Sequence, residues 1–396
     1  MLKIEDPRSA PAPAPAGFAL WNLGFRPFYL LASIYAAVSV ALWAGEYAGY
    51  LPAAYLRNPL WHGHEMLFGY AIAVVAGFLF TAVRNWTNRP TPTGAALAAF
   101  ALLWLAGRVL VLTPYSIAAA IANAAFPVAV AVALAIPLVR SGNRRNYFFI
   151  GLLLAVGALE LALHLSQLGA LRWPAIASLQ VGLDIVMFII AVMGGRVIPM
   201  FTNNAIPNAQ AVRKPWLERL ALGGILALLG ADFVLAPGGV VAALAACVAV
   251  IHAARLYLWH PWRTLAKPLV WVLHISYAWI VVYLVLRALA AVGQVAEPLA
   301  LHALTIGAIG GMTIGMMTRT ARGHTGRPLV ADGFEVACYV LVQLAAVVRV
   351  LGGMLLPGAY VATVIASAAC WSAAFGLYAI RYWPALSRPR LDGKPG

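Results

Sequence analysis

The chain has 396 residues, 63% of them hydrophobic and only 10% charged, with a formal net charge of +15. Soluble domains run about 45–50% apolar and about 25% charged, so this composition excludes a soluble globular protein and describes an all-α, polytopic membrane protein. The three cysteines, Cys247, Cys338 and Cys370, sit in apolar runs without a C-x-x-C, which argues against a disulfide framework or a thiolate metal site.

The N-terminal stretch carries Lys3 and Arg8, followed by a Pro-Ala repeat from Ala10 to Ala16. It is no apolar signal-peptide core and reads as a disordered tail. We therefore divide the chain into a Pro/Ala-rich tail (1–17), a single transmembrane domain (18–384) and a short C-terminal tail (385–396). A membrane-crossing helix needs about 20 mostly apolar residues. On that ruler about twelve spans are expected, at 28–50, 62–83, 94–112, 116–139, 147–169, 175–198, 216–235, 238–258, 266–291, 298–318, 331–352 and 359–382.

Lys and Arg set the expected orientation. With twelve spans, both termini and the even-numbered loops share one face, and that face collects 22 of the 27 basic residues. The opposite face keeps only Arg57, Arg108, Arg172, Arg287 and Arg349. This places both termini in the cytoplasm and accounts for the positive charge without nucleic acid as a partner. It also sorts the histidines: His62, His64, His164 and His302 fall toward the outer face. His274 lies roughly 12 Å into its helix at 1.5 Å per residue.

Ionisable groups inside a bilayer are costly and point to function. The run Trp61-His62-Gly63-His64-Glu65-Met66-Leu67-Phe68-Gly69 places two histidines and a carboxylate at the mouth of the second span. Neutral imidazole binds iron, copper and zinc. Two residues apart, however, means about 200° of helical rotation. Both histidines can face one metal only if the helix starts irregularly, for which Asn58-Pro59 gives an opening; otherwise one is a ligand and the other faces elsewhere.

In the tenth span His302, Thr305, Ile306, Ile309, Thr313 and Met316 share a face, while Gly307, Gly311 and Gly315 form a ridge for close helix packing on the other. His302 and His64 stand at similar depth on two helices, the arrangement a bis-imidazole haem requires. Glu160 and His164 are four apart and share a face, fit for an ion pair, a proton relay or support of a ligand. Asp184 is an isolated mid-span carboxylate. On the cytoplasmic side Arg26, Arg84, Arg196, Asn203, Asn204, Arg319 and Arg327, with His324, could line a site for an anion or for cofactor propionates.

Several of these segments resemble the NnrS family of bacterial haem- and copper-containing membrane proteins. They are Phe25-Arg26-Pro27-Phe28, Trp61 through Gly69, Asn85-Trp86-Thr87, Gly194 through Pro199 with Phe201-Thr202-Asn203-Asn204, Leu273-His274 with Tyr277-Ala278-Trp279, Leu301 through Thr305, and Met317-Thr318-Arg319 with Gly323 through Pro328. The resemblance implies a twelve-helix protein of the bacterial cytoplasmic (inner) membrane that binds haem b and copper and protects against nitric oxide stress. It carries over His62, His64, His274, His302 and His324 as metal-binding residues.

On this reading haem binds through His64 and His302, with His62 as a competing ligand and Glu65 in support. Copper sits at His274 and His324, or shares the outer site through His62. Two other functions stay open: a quinol-linked nitric oxide reductase or oxidase-like enzyme, and a transporter of a metal, haem or nitrosylated ligand, for which Gly194-Gly195 would be a helix break. The chain also resembles subunit I of haem-copper oxidases, but it has only His302 on the tenth span and no histidine between 175 and 235, so their binuclear centre is not expected. Membrane lipid, nitric oxide and an electron donor are the expected partners.

Overall fold

The computed structural model describes residues 17–50, 56 and 59–394. The Pro/Ala-rich tail, apart from Gly17, and Asn58, with its suggested irregular helix start, lie outside the described residues. Among the described residues the chain is all helix, with no strand. The rods are α1 (Phe25–Tyr47), α2 (Pro59–Thr87), α3 (Gly94–Leu110), α4 (Ser116–Arg140), α5 (Phe148–Gln167), α6 (Ala175–Ala205), α7 (Pro215–Phe233), α8 (Gly238–Tyr257), α9 (Pro268–Ala291), α10 (Glu297–His324), α11 (Gly333–Leu355) and α12 (Tyr360–Ser387).

Ten of these are long and apolar enough to cross a membrane. The other two are α3, with only 17 residues, and α7, which carries Glu218, Arg219 and Asp232. The protein is thus a multi-pass membrane type, and the helices fall where the apolar runs predict them.

Two rods form the centre. The most apolar stretches of α2 and α6 are each 83% buried, against 33% for the stretch starting at Gly238. Small residues allow the inner helices to approach. A Cβ at Gly307 would run into the Trp279 ring, one at Gly311 into Ser276 and Gln343, and one at Gly315 into Val272 and Leu273. The glycine ridge of α10 is therefore laid against α9, as its sequence spacing predicts. The suggested break at Gly194-Gly195 is absent, since α6 continues to Ala205. Gly195 instead makes room, because a Cβ there would occupy the space taken by Arg255 and Glu218, which form an ion pair at 2.7 Å.

Three rods widen locally into π-helical turns, over Glu65–Ala71 in α2, Ala303–Gly310 in α10 and Val348–Gly352 in α11. Such wide turns are rare and concentrate at functional sites. Here each contributes to the wall of the same cavity.

The first and last described segments meet at one end of the bundle. Helix α12 runs to Ser387, whose carbonyl accepts from Ala19 N at 2.7 Å. Buried Arg26 donates to the carbonyls of Leu386 (2.9 Å) and Arg388 (2.7 Å). Arg390 donates to His324 O at 3.1 Å, and Leu391 N to Thr325 O at 3.1 Å. The segment after α12 is thus fastened to α1 and α10 and does not hang free.

Candidate functional site

Where α2, α6, α10 and α12 begin and α1 and α11 end, the rods enclose a cavity of about 350 Å³. That lies in the range of about 300–1,000 Å³ typical of small-molecule and cofactor sites. Its walls are mainly apolar, with Val40, Leu67, Leu179, Leu183, Ile306 and Ile309 among them. The polar groups that reach it include His62, His302, Arg349, Gln180, Thr305 and Ser367.

His62 and His302 both line this cavity as near-parallel, stacked rings, with centres 6.3 Å apart and planes 16° from parallel. Both rings are held. His62 stacks on Trp43 at 4.1 Å between centres, and its Nδ1 is buried without a partner. His302 Nδ1 donates to Pro298 O at 2.6 Å, which leaves the lone pair on Nε2. A backbone carbonyl on the far nitrogen is the usual way to fix a ligating imidazole. Two neighbouring imidazoles, each with one nitrogen unused, beside a largely apolar cavity are donors that a haem could use.

His64 lies elsewhere. The 200° rotation sends it to the opposite side of α2, because a regular helix runs through Pro59–His64 and widens only from Glu65 onward. The neighbour of His302 in the fold is therefore His62, and His64 is turned away from it. His64 is fully buried, and its Nδ1 donates to Glu65 Oε1 at 2.6 Å. His64 Nε2 lies 3.2 Å from His164 Nε2 and 3.5 Å from Glu160 Oε1. Glu65 Oε2 accepts from Arg108 Nη1 at 2.5 Å and from the Tyr35 hydroxyl. Arg108 also donates to Asn123 and lies 3.8 Å from Glu160. Gly69 makes this possible, since a Cβ there would collide with the Arg108 guanidinium. Two carboxylates, one guanidinium and two histidines thus form one buried network across α1 to α5.

His274 and His324 have separate surroundings. The Thr202 hydroxyl donates to Ile198 O at 2.8 Å, so His274 Nε2 donates to Thr202 Oγ1 at 2.9 Å and its Nδ1 is left buried with no partner. His324 packs on the Phe25 ring, 5.6 Å between centres. Among the described residues no three His, Cys, Asp or Glu side chains form a group that could hold a metal ion.

The suggested cytoplasmic polar site also divides into local contacts. Arg26 Nη1 donates to C-terminal carbonyls, Arg196 donates to Asn146 Oδ1 at 2.9 Å, and Asn203 closes a loop with the backbone of Ala211 at 2.8 and 3.0 Å. Arg319 lies over the Phe201 ring at 3.7 Å. Arg84 and Arg327 are half-buried, and Asn204 is exposed. Burial pulls the Arg327 guanidinium down from its ordinary pKa, helped by neighbouring arginines. Arg26, Arg196, Asn203 and Arg319 thus each turn to a different neighbour.

Asp184 is not isolated. Gln180, on the cavity wall, donates to Asp184 Oδ1 at 3.3 Å and to the Tyr283 hydroxyl at 3.2 Å. Arg287 donates to Tyr283 OH at 3.1 Å and to Asp232 at 2.6 Å. It also lines a second, smaller cavity of about 170 Å³.

Sequence reasoning singled out neither Trp43, Gln180 nor Arg349 as site residues. The signal that could have found Arg349 is an arginine near the end of an otherwise apolar span. No curated protein matches the sequence. A family model described as NnrS protein matches residues 19–390, nearly the whole described chain, and the protein belongs to the NnrS family.

Proposed function

We propose that this is a twelve-span protein of the bacterial cytoplasmic membrane that holds haem b between His62 and His302 and protects the cell from nitric oxide or its metal-nitrosyl products. The nearness of these two imidazoles in the wall of a largely apolar cavity carries the haem reading. The family membership supports the nitric oxide role and the cytoplasmic membrane. Bound haem would supply a redox-active iron with affinity for nitric oxide. The chain's own part is to present two oriented imidazoles and exclude water. Pro298 and Trp43 fix the rings, and the aliphatic walls keep the site dry.

Copper is the second expected metal. His274 offers a buried lone pair at Nδ1, and we propose it as a single-imidazole contribution, separate from His324. The test is optical and metal analysis of the purified protein, wild type beside His62→Ala, His302→Ala, His64→Ala and His274→Ala. The proposal expects a bis-imidazole haem spectrum lost in the first two variants and kept in His64→Ala, with copper reduced only in His274→Ala. A wild-type protein without haem would overturn it.

One observation favours a second reading, a quinol-linked nitric oxide reductase. The chain from Gln180 through Asp184 and Tyr283 to Arg287 and Asp232 links the cavity wall to the smaller cavity, as a proton path requires. Steady nitric oxide consumption with a reduced quinol, abolished in Asp184→Asn, would establish it. No consumption with haem fully loaded would remove it.

A further inference from the structure

Three of the five buried arginines among the described residues are held in ion pairs: Arg108 with Glu65, Arg255 with Glu218 and Arg287 with Asp232. Arg26 reaches C-terminal carbonyls through Nη1 alone, with Nε and Nη2 left without a partner, and it does not line the His62–His302 cavity. Arg349 differs. It is only 4% exposed, lies on the π-helical turn of α11 and reaches the wall of the His62–His302 cavity. Its Nη2 donates to the Tyr360 hydroxyl at 2.7 Å, and its guanidinium lies 4.9 Å from that ring centre. Nε and Nη1 are buried with no partner, and among the described residues Arg349 takes part in no ion pair. The acidic residue that lines the same cavity, Glu297, is exposed.

A guanidinium stays charged in proteins. Leaving one buried without a counter-charge costs heavily, whereas a carboxylate can meet its fork with two parallel hydrogen bonds. Unused N–H groups on two of its nitrogens, beside a largely apolar cavity, therefore ask for an occupant with an apolar body and an anionic edge. Iron protoporphyrin has that form, since its ring is apolar and its two propionates sit on one side.

We infer that Arg349 receives a propionate of the haem held in this cavity and so sets which way round the ring sits. The inference rests on the haem reading above. Tyr360 acts as the positioning residue, holding the guanidinium at Nη2 and leaving Nε and Nη1 free.

The test uses the full-length protein in detergent with four probes: haem, haem dimethyl ester, iron-free protoporphyrin IX and its dimethyl ester. The esters keep the ring and remove the charge. The iron-free pair is read by fluorescence and does not depend on histidine ligation. Wild type should hold each diacid about ten- to a hundredfold more tightly than its diester, the scale of a charge-assisted hydrogen-bonded contact. Arg349→Met should bind diacid and diester alike, Arg349→Lys should keep part of the preference, and Tyr360→Phe should weaken it.

Equal binding of diacid and diester by wild type overturns the inference, as does an undiminished preference in Arg349→Met or the failure of all four probes to bind. The wild-type comparison stands even if a variant does not fold. The two readings fail separately. A porphyrin preference without a bis-imidazole haem spectrum upholds Arg349 and removes His62–His302 ligation. A bis-imidazole spectrum without the preference does the reverse.

Discussion

Helix α2 carries two histidines, two residues apart, into two unlike interiors. On one side His62 meets space: a cavity, a neighbouring imidazole, and nitrogen atoms with no partner. On the other His64 meets a closely paired network with Glu65, Arg108, Glu160 and His164. Both regions are polar and buried, so burial and residue type alone do not separate them. Unspent hydrogen-bonding capacity beside an open volume does. A buried polar group is ordinarily satisfied. Where several are not and they border one cavity, a ligand is the economical explanation; where charges neutralise one another, the role is to hold helices together.

The largest effect should come from breaking the closed network. Arg108→Met strands the Glu65 carboxylate among apolar helices, and removing one partner of a buried pair costs about 3–5 kcal/mol. Unfolding followed in detergent should show a large loss of stability. If the variant is as stable as wild type, the network is not what joins α2 to α3.

The next experiment sets the two histidines against each other. His62→Ala should lower haem affinity about tenfold or more while leaving the unfolding midpoint nearly unchanged, since ligand contacts dominate on that side. His64→Ala should keep the haem and lose about 1–3 kcal/mol of stability, because Glu65 and His164 lose a buried partner. Haem titration and unfolding on the same samples decide it. The opposite pattern would return the ligand role to His64.

A smaller effect is expected at the boundary of the cavity. Gly307→Ala pushes a methyl against Trp279, and overpacking of this kind costs about 1–3 kcal/mol. Because α10 carries His302, this variant should also lower haem affinity, whereas Gly223→Ala, which meets nothing within 4 Å, should change neither quantity.

The smallest effect serves as a control remote from both regions. Asp332 caps α11, accepting from Phe334 N at 2.9 Å, while Glu335 accepts from Asp332 N at 2.7 Å. The Glu335 interaction, with Arg381 beside it, holds the Asp332 carboxyl below its ordinary pKa. A depressed carboxyl stabilises the fold above its unfolded value of about 3.9, and that contribution fades as the pH falls through and below it. Since Asp332 is partly solvated, Asp332→Ala should cost only about 0.5–1 kcal/mol at neutral pH. Unfolding at pH 7 and at about pH 3 should show this difference shrinking, with haem binding untouched throughout.

Much of the fold was legible because a bilayer imposes one long apolar run per crossing, and such runs are visible without tertiary knowledge. The glycine ridge of α10 was equally plain, since helical periodicity alone puts residues 307, 311 and 315 on one face. The divergence of His62 and His64 could be read from the same rotation. Which of them meets His302 could not, because depth in the membrane does not give the azimuth of one helix against another. The polar residues gathered on the cytoplasmic face looked like one site for a similar reason. Their shared depth was readable, but Asn203 turning back to Ala211 and Arg26 reaching the C-terminal carbonyls were not.

By itself, then, the sequence determined an all-helical membrane protein, its helix positions, its family and the histidines worth testing. These follow from local periods and from the cost of polar groups in lipid, both of which act along the chain. Only the tertiary structure decided that His62 rather than His64 lies beside His302, that Asp184 belongs to a chain of polar groups, and that Arg349 borders the cavity with Nε and Nη1 unpartnered. Those outcomes depend on how each rod is rotated against its neighbours. That rotation is set by side-chain packing between segments as far apart as residues 62 and 349.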